Sequence, residues 1–108
     1  MARTPLTNAE RLDRSVSEDE LLAYVTDLLK VHHWHWNHSR DSRRSNPGLL
    51  DLIAVRKGRI IFAELKKEIG GKVSHAQQSW FYELKLNHCV EVYLWKPSDM
   101  AEIARILA

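Results

Sequence analysis

Two periods of apolar residues run through this chain. After Ser17, apolar side chains recur at Leu21, Leu22, Val25, Leu28 and Leu29, the spacing of one helical face. Ser17 suits an N-cap, Glu20 stands at the reciprocal capping-box position, and the acids around it suit the positive end of the helix dipole. Glu18 shares the inward stripe with Leu21 and Leu22, whereas Glu20 projects with Tyr24 and Asp27. From Trp34 to His38 the pattern becomes an alternation, which predicts a strand with Trp34 and Trp36 facing the core. Two further apolar runs, ending at Val55 and beginning at Ile60, flank Arg56-Lys57-Gly58-Arg59, a hairpin signal. Ser74-His75-Ala76-Gln77 opens a second helix carrying Trp80, Phe81 and Leu84, and Cys89 to Trp95 reads as another strand. Lys96-Pro97-Ser98-Asp99 then turns into a last helix that packs through Met100, Ile103, Ala104 and Leu107. The order is helix, three strands, helix, strand, helix, an α/β domain over residues 17–108. Residues 1–16 are polar without a sustained period and are expected to form a flexible arm.

The hairpin carries acid where core residues belong. Strand alternation puts Glu64 and Lys66 on one face with Ile60 and Phe62, and Ile61, Ala63 and Leu65 on the other. A two-residue turn at Lys57-Gly58 would pair Arg56 with Arg59 and set Asp51 opposite Glu64. A three-residue loop would instead set Ala63 there, and Lys is a poor first residue for a primed turn. Opposed carboxylates about 5 Å apart at an effective dielectric of about 20 repel by roughly 3 kcal/mol. That repulsion invites a cation, and a hard divalent ion such as Mg²⁺ takes such oxygen ligands. A polar hairpin face that merely meets water is the alternative.

At 108 residues, with 44% hydrophobic and 28% charged side chains, the composition is that of a globular domain. No apolar run approaches a membrane span, the N-terminus lacks a secretory apolar segment, and the lone Cys89 allows no internal disulfide. A reducing, cytoplasmic setting is expected. The net charge of +2 is unevenly divided: residues 1–29 hold three basic and six acidic side chains, and residues 56–72 six and two. Positive charge around an acidic hairpin suits a bound polyanion, nucleic acid above all, although a solvated surface has the same composition.

Other residues bear on the same chemistry. Arg40, Arg43 and Arg44, interleaved with serines just before the Asp51 strand, suit a phosphate backbone because the guanidinium fork matches phosphate oxygens. His38 is expected to reach a phosphate, and Lys67 and Lys72 extend the basic loop after Lys66. Four histidines from His32 to His38 suggest zinc, yet strand spacing splits them between faces and no Cys accompanies them. Gln77 is open to two readings, capping-box partner of Ser74 or a side chain aimed at the hairpin. Glu18 is likewise either a dipole partner or a site acid.

With Asp51, Glu64-Leu65-Lys66 and Gln77 in view, the chain resembles the PD-(D/E)XK nucleases. More closely, it resembles their virus-type replication-repair nuclease (VRR-NUC) domain family. The resemblance runs from Ser17 to about Leu107, through Glu18, Trp34, Ser42-Arg43-Arg44-Ser45, Gly48-Leu49-Leu50-Asp51-Leu52, Phe62-Ala63-Glu64-Leu65-Lys66, Ser74, Gln77 and Trp80, then Trp95-Lys96-Pro97-Ser98. Leu50 stands where the superfamily often has Pro, a residue that shapes the strand and binds no metal. The resemblance implies a restriction-endonuclease-like αβββαβ core with a C-terminal helix and a mixed central sheet. It implies a metal-dependent DNA endonuclease in which Asp51, Glu64 and the Leu65 carbonyl bind Mg²⁺ or Mn²⁺. Lys66 would position water, Glu18 and Gln77 would complete the pocket, and no organic cofactor is expected. DNA contacts are expected from His38, Arg40, Arg43, Arg44, Lys67 and Lys72. Standalone members resemble junction-resolving enzymes, which implies a homodimer cutting branched DNA such as four-way (Holliday) junctions in a phage or bacterium. A monomeric flap or nicking nuclease, and a catalytically silent DNA-binding module, are the alternatives.

Overall fold

The architecture follows from where the two apolar periods meet. A computed structural model describes residues 4–39 and 50–108 of the chain. Its elements are helix α1 (Asn8–Ser15), helix α2 (Glu18–Val31), strands β1 (His35–His38), β2 (Leu52–Arg56) and β3 (Arg59–Leu65), helix α3 (His75–Lys85), strand β4 (Glu91–Trp95), a 3₁₀ turn (Pro97–Asp99) and helix α4 (Met100–Leu107). The four strands form one mixed sheet in the order β1-β2-β3-β4, antiparallel except for the parallel β3–β4 pair. The expected mixed α/β class is met, and over residues 17–108 the elements come in the expected order.

The hairpin adopts the shorter of the two expected turns. Arg56 pairs with Arg59, and Leu52 with Ala63. Lys57 and Gly58 both have positive φ, 49° and 81°, the backbone of a type I′ turn whose twist matches the flanking strands. Lys57 holds a conformation that costs a side-chain-bearing residue roughly 1 kcal/mol.

The core lies on one face of the sheet. Leu52, Ala54, Ile61, Ala63 and Leu65 point there and meet Leu21, Val25 and Leu29 of α2 and Ile103 and Leu107 of α4. Each helix contributes its apolar stripe, so burying these side chains stabilises both helices and the sheet together. The opposite face is only partly covered: Ile53, Val55 and Leu94 stay 37–39% exposed, and no residue of α3 is buried.

Three expectations need correction. Residues 1–16 contain α1, because Thr7 and Glu10 close a capping box that composition alone does not suggest. Trp34 is buried but precedes β1, since His33 at φ 61° redirects the chain between α2 and the strand, while Trp36 is only half-buried. Part of the positive charge counted around the acidic hairpin is structural. Arg56 donates to the carbonyls of His32, Leu107 and Ala108, Arg59 donates to Glu91 and to the Ile106 carbonyl, and both guanidinium groups lie over Trp34 at 4.5 and 5.1 Å. These arginines cap the C-terminal end of α4, where the helix dipole is negative. They stand at the turn end of the hairpin, away from Asp51.

Candidate functional site

The hairpin opens at its far end around two carboxylates. In the β2–β3 ladder the next residue beyond Leu52 would continue pairing with β3, but Asp51 bends out of the strand. Its carboxylate Oδ2 accepts the Leu65 N–H at 2.9 Å, and its own N–H donates to Glu64 Oε1 at 3.0 Å. The two acids therefore face each other across the end of the hairpin, as the two-residue turn requires. An extended residue directs its N–H and C=O to the same neighbouring strand. The Leu65 carbonyl is thus aimed towards Asp51.

Glu64 is 1% exposed, the sole charged residue among the described residues to be buried. Its Oε2 receives Gln77 Nε2 at 2.5 Å and lies 3.0 Å from Lys66 Nζ. Lys66 is on the same side of β3 as Glu64, as strand alternation demands. Gln77 fulfils both of its expected roles with one amide: Oε1 accepts the Ser74 N–H that opens α3, and Nε2 holds Glu64. The exposed first turn of α3 is thereby anchored to the sheet at the site.

Burial pushes the Asp51 carboxyl from 3.8 up to about 7; the Leu65 N–H pulls the other way, and the nearby charges of Glu64 and Glu18 push it further up. Such a group marks a negatively charged place short of positive charge. Glu18 is not buried on the inward stripe as expected. It is exposed in the first turn of α2, where it lines a cleft of about 180 Å³ with Asp51, Leu65, His38 and Ser39. It also lies in the first turn of α2, so its dipole role stands beside its place in the cleft.

Two carboxylates and a carbonyl directed to one side fit a hard divalent cation, which takes oxygen donors and fills its other positions with water and substrate. Among the described residues no three His, Cys, Asp or Glu side chains gather as a cage. The histidines from His32 to His38 thus form no zinc cluster there. His38 faces the cleft, whereas His35 is exposed. Lys67 and Lys72 are exposed in the loop after β3, which Glu68 ties to the Ser98 N–H at 3.0 Å. Arg40, Arg43 and Arg44 lie outside the described residues.

The arginine cluster over Trp34 escaped sequence reasoning because its partners, backbone carbonyls and the Glu91 carboxylate, lie far along the chain. A larger groove beside β1, lined in part by Trp36, escaped it too, since edge position depends on strand order. No helix among the described residues is long and apolar enough to cross a membrane. Comparison of the chain with protein-family models, with curated proteins and with solved structures finds no match.

Proposed function

We propose that this chain is a metal-dependent endonuclease that hydrolyses phosphodiester bonds in DNA, built on the αβββαβ core of restriction-endonuclease-like enzymes. The observation that carries the reading is the convergence of Asp51, Glu64, Lys66 and Gln77 at one end of the sheet, beside an open cleft. Asp51, Glu64 and the Leu65 carbonyl would hold the cation. When bound, a divalent ion lowers the pKa of a water and screens the phosphate.

The chain's own side chains do the rest. Gln77 and Lys66 both hold Glu64 Oε2 while the Asp51 N–H holds Oε1, so the acid keeps one orientation. Lys66 places a fixed positive charge where the water attacks and where charge develops on phosphate oxygen. Glu18 borders the cleft and completes its acidic rim. His38, Lys67 and Lys72 supply phosphate contacts around it, joined by Arg40, Arg43 and Arg44. Mg²⁺ is the expected ion, with Mn²⁺ its substitute.

Branched DNA cut by a homodimer remains the substrate proposal, supported by resemblance to the VRR-NUC family. Tyr24, Tyr82 and the last helix are the residues expected to supply a dimer surface; Tyr24 is half-buried and its hydroxyl donates to the Met100 carbonyl. Tyr82, 65% exposed, and the partly open sheet face remain. Sedimentation showing monomers alone at micromolar concentration would remove the dimer. The activity itself is tested by cleavage of labelled DNA in Mg²⁺: Asp51→Ala is expected to abolish cutting and keep DNA binding, and normal cutting by that variant would overturn the site.

A further inference from the structure

We infer that the groove between α2 and edge strand β1 receives the unpaired base of a nucleotide flanking the scissile phosphate, with Trp36 as its stacking platform. This rests on the nuclease reading of the adjoining cleft. The groove is about 730 Å³, within the range of small-molecule sites, and Asp19, Thr26, Lys30, Trp36, Asn37 and His38 contribute to its walls.

Three observations point to a base. The groove is continuous with the acidic cleft, since Asp19, Leu22 and His38 line both. Trp36 is half-buried, packed on the core from one side and bordering the groove. It stands two residues from His38 on the same face of β1, about 7 Å along the strand. A base splayed from a phosphate in the cleft spans that distance. Lys30 Nζ stands over the ring at 6.0 Å, the outer limit of a cation–π contact. An exposed lysine exchanges so weak a contact for a phosphate oxygen, which frees the ring face. Asn37 offers an amide donor and acceptor to the edge of a base, and Thr26, whose hydroxyl donates to the Ala23 carbonyl, offers an acceptor.

The groove lies between a helix and a strand, and a base still paired and stacked in a duplex has both faces covered by its neighbours and none free for the Trp36 ring. An unpaired base enters as in other single-strand sites, where stacking on an aromatic ring is sequence-tolerant. Substrates with an unpaired nucleotide at the cut, such as flaps, splayed arms and strand ends, are therefore favoured over continuous duplex.

The test measures binding by fluorescence anisotropy in EDTA and cleavage in Mg²⁺, using a splayed-arm DNA and the same DNA abasic at successive unpaired positions. For the wild-type chain, one abasic position is expected to weaken binding and slow cleavage by roughly 5- to 100-fold, the worth of one stacked base. Trp36→Leu should lose a similar factor on intact DNA and show no further loss on abasic DNA, and Trp36→Phe should recover most of it. Because the abasic change alters only the ligand, a poorly folded variant leaves the test intact. Cleavage indifferent to every abasic position overturns the stacking site and leaves the nuclease standing. Abasic-sensitive binding that requires Trp36 without any cleavage supports the groove and overturns the nuclease reading. Absence of DNA binding overturns both.

Discussion

Asp51→Asn should stabilise the metal-free protein in alkaline solution while destroying its activity. Burial raises the Asp51 carboxyl from 3.8 to about 7. A raised acid holds a proton in the folded state that the unfolded chain releases, so stability falls as pH rises from about 4 to about 7. Each pKa unit is worth 1.36 kcal/mol, and the full shift of about 3 units sets a ceiling near 4 kcal/mol at pH 8. Asp51 borders a cleft open to water, and screening there reduces the figure to about 2 kcal/mol. Asn keeps an oxygen for the Leu65 N–H and offers an amide to Glu64, so the exchange removes charge with little loss of hydrogen bonding. For a domain of this size about 2 kcal/mol corresponds to a Tm increase of roughly 8 °C or more. Thermal melts in EDTA at pH 8 and pH 4.5 measure it: the variant should lead at pH 8, and the gap should shrink to about 0.5 kcal/mol at pH 4.5. Mg²⁺ should raise the wild-type Tm at pH 8 and leave the variant unmoved. A variant no more stable than wild type at pH 8, or a gap independent of pH, would refute the claim that Asp51 is held against its own charge.

Other outcomes follow from the same structure. Arg56→Ala takes the guanidinium from the His32 and Ala108 carbonyls and one of the two cations from the Trp34 ring, while Leu107 keeps the Trp34 indole N–H; denaturant unfolding should show a loss of about 1–3 kcal/mol, which Arg56→Lys does not restore. Lys57→Asn, better suited to the type I′ turn, should gain about 0.5–1 kcal/mol in the same assay without affecting cleavage. Lys66→Met should abolish cleavage at unchanged DNA affinity and cost about 2 kcal/mol of stability, because Glu64 stays buried with only Gln77 and the Asp51 N–H beside it.

Local signals carried most of the fold. The capping box at Ser17 and the stripe of the last helix are each settled within a few residues and form as the sequence predicts, while the short turn at Lys57-Gly58 and the Ser74–Gln77 box are among the alternatives that the sequence leaves open. The facing of Asp51 and Glu64 followed from that turn alone. What stayed hidden depends on contacts distant in the chain. Arg56 and Arg59 look like free positive charge until α4 brings its carbonyls to them. Trp36 reads as a core residue until strand order puts β1 at the sheet edge. Glu18 reads as inward until the fold brings Asp51 and Leu65 to the same cleft. The arm lost its helix to inspection because α1 buries no residue, leaving only the Thr7–Glu10 box to announce it.

The most direct measurement is cleavage of a labelled panel of four-way junction, flap, splayed arm, linear duplex and single strand, in Mg²⁺, Mn²⁺ or EDTA, by wild type and Lys66→Ala. Metal-dependent cutting of a branched or splayed member, absent in EDTA and lost in the variant, is the predicted result. Intact substrates under every metal, with DNA still bound, would contradict it and make the open end of the hairpin a binding surface.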